Sequence, residues 1–142
     1  MKNKILVGAL ALTIMFAGTQ AFAATITPAD LSNRIESMYS RMATVMDRFD
    51  DLITRAQASG RDVTQAQNLL QTAVAKRATL KADIDTLKAM FGTATAFTPE
   101  MRAQVIKVKN DFIDLKQTVA TVRDYLKTAL EAYRASNPVT VE

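Results

Sequence analysis

Two rows of cations, each spaced at seven residues, are the part of this sequence best equipped to do chemistry. Arg34, Arg41, Arg48 and Arg55 form one row; Arg102, Lys109, Lys116 and Arg123 form the other. Seven residues is close to two helical turns, so each row follows one flank of a helix. If the two rows faced each other, their like charges would line a groove able to hold a polyanion such as lipopolysaccharide, teichoic acid or an acidic protein segment. Side chains of this kind also serve to cover apolar edges with their stems while the heads stay wet. Asp30 and Asp51, each four residues before an arginine of the first row, offset part of its charge.

Other residue sets carry weaker chemistry. Met38, Met42 and Met46 stack three thioethers along one helix edge, which suits Cu(I) or Ag(I). Met38 and Met42 also fall in line with apolar neighbours, where methionine is ordinary core filler. Ile106 and Ile113 lie seven apart, off the apolar line of their helix. They suit a self-association strip or a client contact. Arg77 interrupts an otherwise apolar line, where it snorkels outward or pairs with a facing acid and sets register. Asp47, Asp50 and Asp51, and Asp83 with Asp85, read as solvated charge on outer helix faces.

Absences narrow the function further. The 142 residues include no histidine and no cysteine, which excludes histidine bases, histidine metal ligands and Ser-His-Asp or Cys-His nucleophile systems. Neither a glycine-rich phosphate loop nor a nucleophile elbow is present. The expectation is a protein that is not an enzyme, with no catalytic residue and no cofactor.

Three apolar trains must position these residues. In the first, Leu31, Ile35, Met38, Met42, Val45, Phe49, Leu52 and Ala56 alternate steps of four and three, with Tyr39, Met46 and Ile53 beside them. Thr27, Pro28 and Asp30 supply a helix start, with Ile26 and Leu31 placed for a hydrophobic staple, and Gly60 a stop. The second train is Val63, Ala66, Leu70, Ala73, Arg77, Leu80, Ile84, Leu87 and Phe91, with Asp62 as cap, Gln65 reaching back to it, and Gly92 as stop. The third runs Met101, Val105, Val108, Phe112, Leu115, Val119, Val122, Leu126, Ala129 and Tyr133, opened by Thr98, Pro99 and Glu100. Helices over about 28–59, 63–91 and 99–136, joined by short connections, predict an all-α, up-down-up antiparallel three-helix bundle with coiled-coil-like seams, occupying 24–137. Residues 138–142 read as a tail.

Ahead of the bundle, 1–23 read as a cleavable export signal. Lys2 and Lys4 precede an apolar run from Ile5 to Phe16, and Ala21-Phe22-Ala23 fits a cleavage site. The run is shorter than the roughly 20 residues a membrane span needs, so no transmembrane anchor is expected after cleavage. Without Lys2 and Lys4, 16 basic residues face 14 acidic ones, a net charge of +2. That balance does not point to nucleic acid. The expected setting is periplasmic or extracellular in a bacterium.

The junction of the first two helices resembles that of a group of small exported bacterial proteins without established activity. The likeness lies in Ile53 to Arg55 and in Gly60 to Ala66, a G-x-D-V/T-x-x-A turn into an alanine-rich helix, and extends loosely to Leu126. Members of that group also share a helix of the form R-I-x-x-x-x-x-R. The resemblance implies a three-helix, coiled-coil-like fold and an exported location. A looser one, in compartment and helicity, is to periplasmic holdase chaperones of the Spy and Skp sort, without the LTxxQ motif or the N-terminal strand.

The functional expectation is an exported, non-enzymatic bundle acting through its surface, in envelope-associated binding or a chaperone-like role. Its partner would be a protein or an anionic envelope polymer, or a second copy of itself. Soft-metal handling through Met38, Met42 and Met46 is the alternative.

Overall fold

Each helix starts where its capping residues sit. The computed structural model describes residues 26–137, which form α1 (Pro28–Ala58), α2 (Thr64–Phe91) and α3 (Pro99–Ser136), with no strand among the described residues. The expected leader and tail lie outside them. At the start of α1 the Asp30 amide donates to Thr27 Oγ1 (3.1 Å) and the Thr27 amide donates to Asp30 Oδ2 (3.2 Å), a reciprocal pair that satisfies two otherwise orphaned donors. The Thr27 hydroxyl also donates to Asp30 Oδ2 (2.7 Å), and that bond, with the Thr27 amide, holds the Asp30 carboxyl below the usual carboxylate range. Ile26 packs against the core, to which Leu31 belongs.

α1 ends in a paired turn. The Arg61 amide donates to the Ala56 carbonyl (3.1 Å) and the Gly60 amide to the Gln57 carbonyl (2.9 Å), with Gly60 at φ 76°. This is the Schellman arrangement, and the left-handed φ is what makes glycine necessary there. The start of α2 differs from expectation. Val63 occupies the cap position because its side chain is buried, and Asp62, one residue earlier, accepts the Thr64 amide at 3.0 Å. Gln65 does not complete the box; it is exposed.

Polar pairs between helices fix their alignment. Moving 11 residues along α1 from Glu36 to Asp47 moves 11 back along α2, from Lys88 to Arg77, and ten more to Gln57 bring ten more back to Gln67. Seven residues of α2, from Lys76 to Asp83, likewise match seven of α3, from Asp114 back to Lys107. The helices are therefore antiparallel in sequence, as an up-down-up three-helix bundle requires. α2 is the middle element, packed most extensively on α3, then on α1, while α1 and α3 touch sparingly.

The core follows α2 and α3 closely and α1 less so. Every apolar residue of the α2 train is buried, and on α3 burial runs from Met101 to Val122, with Val105 half-buried. Leu80, Ala73, Leu115 and Val122 have no exposed surface. On α1 the expected line fails beyond its first turns. Leu52 is 51% exposed, whereas Met46 and Ile53, placed beside that line, are each 2% exposed. An ideal α-helix drifts by about 20° per heptad, and the buried stripe of α1 passes from Ile35 to Met46, 11 residues on, and leaves Leu52 outside. On α3, Ala129 and Tyr133 are exposed, against expectation. At 38 residues against 28, α3 outruns α2, and Tyr133 instead lies under the Arg61 guanidinium, 3.6 Å from its ring centre.

Candidate functional site

The flanks of α1 and α3 decide whether the two basic rows meet. On α1, Ile35, Met46 and Ile53 mark the inward direction. At about 100° per residue, Glu36 and Asp47 stand to one side of that line, where they reach Lys88 and Arg77 of α2. Arg34, Arg41 and Arg48 stand on the opposite flank. Drift carries Arg55 farther round, onto the back of the helix, where it pairs with Asp51 at 2.7 Å.

The same construction applies to α3. Val108, Phe112 and Leu115 mark its inward direction, and Lys107 and Asp114 lie on the flank that meets Asp83 and Lys76 of α2. Arg102, Lys109, Lys116 and Arg123 lie on the other flank. In a three-helix bundle the flank of α1 turned from α2 and the flank of α3 turned from α2 border the same α1–α3 junction. Arg34, Arg41 and Arg48 of the first row and all four cations of the second therefore border that junction, and Arg55 does not.

They are also in step. Glu36 is level with Lys88, and the α2–α3 alignment sets residue 88 level with 102. Arg34, Arg41, Arg48 and Arg55 then stand within two residues, roughly 3 Å of helix rise, of Arg102, Lys109, Lys116 and Arg123. Arg34, Arg41, Arg48 and Arg102 are exposed, and Lys109 and Lys116 are half-buried. Arg123 pairs with its neighbour Asp124 at 2.8 Å. Between the rows run Met42, Val45 and Phe49 of α1 and Val105 and Leu126 of α3, all partly buried against the core.

Other expected site residues fall elsewhere. Ile106 (49% exposed) and Ile113 (42% exposed) lie on the back of α3 beside its basic row. Met46 is buried and Met38 and Met42 pack against the core, so no thioether of the stripe is exposed. Among the described residues no cluster of three or more acidic side chains could hold a metal ion. Arg77 is half-buried and lies 3.7 Å from Asp47 on the facing helix, a register contact.

One reading is overturned. Asp83, placed on an outer face, is 7% exposed and sits in the α2–α3 contact. Its Oδ1 accepts from Lys107 Nζ (2.5 Å) and Gln104 Nε2 (3.3 Å), and Gln104 also donates to the Asp83 carbonyl (3.1 Å). The Lys107 ammonium holds the Asp83 carboxyl below the usual range despite burial, and Asp83 raises Lys107 in return. Half-buried Asp111 completes the cluster. A carboxylate one residue from the apolar line looks like any flanking charge until the facing helix is known.

No family model matches the chain, and no curated protein or solved structure is matched by it. No helix among the described residues is long and apolar enough to cross a membrane.

Proposed function

We propose that this is an exported, non-enzymatic helical bundle that binds an anionic partner along its α1–α3 side, in an envelope-associated or chaperone-like role. The observation that supports this reading is the placement of two cation rows, level with each other, on the two flanks that border one junction. Like charges held side by side along about 20 Å of helix, the rise from Arg34 to Arg48, raise the local positive potential. They favour an extended anion over a point ligand. The partly buried methionine, valine and phenylalanine between the rows suit an acidic protein segment better than a bare polysaccharide. Ile106 and Ile113 extend the contact from the back of α3.

Titration with poly-glutamate at low and physiological salt tests this directly. Binding should weaken steeply with salt. The double variant Arg41→Glu, Arg102→Glu should lose it while melting like the wild type. Undiminished binding by that variant would sink the proposal.

A further inference from the structure

The second polar feature of the bundle lies on the other side of α3, and the basic face does not use it. Asp83 of α2 and Asp111 of α3 bring two carboxyls together within the helix contact. Oδ2 of each is buried from solvent and has no protein donor. Oδ1 of Asp83 is already satisfied by Lys107 and Gln104. Two ionised carboxylates so placed would leave two buried acceptors empty and facing like charge, an arrangement that costs free energy on both counts. A single added proton removes both penalties. One carboxyl becomes an O–H donor, the other accepts it, and one negative charge is left to face Lys107.

We propose that Asp83 and Asp111 form a one-proton site, with the proton held on Asp111 and donated to Asp83, that ties α3 to α2. The surroundings decide which carboxyl holds it. Asp83 has the Lys107 ammonium and the Gln104 amide, which favour its ionised form. Asp111 is desolvated, lies against Asp83 and also feels Asp114, so its carboxyl is pushed above the usual range, with Lys107 opposing only in part. Asp83 from α2, and Lys107 and Asp114 from α3, are the charged groups acting on Asp111. α1 contributes none among the described residues.

The sign of the pH dependence follows. Asp111 has a folded pKa raised above its ordinary 3.8. Its contribution to stability is complete below that value and is lost as pH rises through the raised one. Asp83 has the opposite shift, so its contribution is present above 3.8 and is lost as pH falls through its depressed value. Above pH 4, therefore, the pair loosens as the solution becomes more basic.

The test is thermal melting of the full chain across pH 4 to 8, for the wild type and Asp111→Asn, with a carboxyl carbon NMR titration of the wild type. Asparagine supplies a permanent N–H donor to Asp83 without a titrating proton. The wild type should lose melting temperature on rising pH relative to the variant. The variant should melt higher at pH 8, and the Asp111 carboxyl should titrate above the other aspartates. Parallel melting profiles, or an Asp111 titration in the ordinary range, would overturn the proposal. Should the variant fail to fold, the wild-type titration decides alone.

Discussion

The two flanks of α3 are built from similar residues and differ in what they face. Toward α2, Lys107 and Asp114 each meet an opposite charge on the neighbouring helix, and Gln104 donates to the Asp83 carbonyl and shares its Oδ1. Away from α2, Arg102, Lys109, Lys116 and Arg123 repeat one sign over 21 residues, level with a second row of the same sign on α1. A charge that faces a helix is selected for complementarity, since a buried mismatch is costly. A row that repeats one sign along a helix flank raises the positive potential there. α2 shows the first use on both of its sides, through Lys88 and Arg77 toward α1 and Lys76 and Asp83 toward α3.

Substitutions can separate the two uses. The largest effect belongs to the core between the flanks. Phe112, 1% exposed, should cost about 3–5 kcal/mol on truncation to alanine, measured by urea unfolding. Leu130, 43% exposed on the overhang of α3, should cost close to nothing. Next comes charge reversal on opposite flanks. Lys107→Glu sets a third carboxyl beside Asp83 and Asp111 and should lower the melting temperature clearly, whereas Arg102→Glu should leave it nearly unchanged. Equal losses would erase the distinction drawn between the flanks. Gly60→Ala should destabilise by about 1 kcal/mol, because φ is positive there although nothing occupies the space a methyl would take. The smallest change is expected from Lys88→Ala, which removes a pair that is about half exposed on both sides. A shift in melting within the error of the measurement is the expected outcome.

Much of the fold was legible because α2 and α3 bury one stripe along most of their shared length, so step and burial agree from Val63 to Phe91 and from Met101 to Val122. α1 was less legible. It packs mainly on one neighbour, and a strict heptad reading placed Leu52 inward where Ile53 belongs. Both cation rows were visible as spacing alone, but that they border one junction required knowing which flank of each helix met α2. Asp83 and Asp85 illustrate the limit. Asp85 has Lys81 four residues before it on its own helix and is solvated. The partners of Asp83 lie on another helix, and nothing in its local pattern separates the two.

The interhelical pairs have a consequence for uniqueness. Apolar seams repeating every seven residues are nearly indifferent to sliding one helix past another by a heptad, and a sequence of such seams alone would settle into several alignments. The polar pairs between α1 and α2 recur at intervals of 11 and ten residues, which are not multiples of seven. Slide α2 by one heptad and Glu36 comes level with Lys81, a tolerable exchange, but Asp47 comes level with Leu70 and Gln57 has no residue of α2 left level with it. The two spacings act as a vernier against the heptad scale, and they coincide at a single setting.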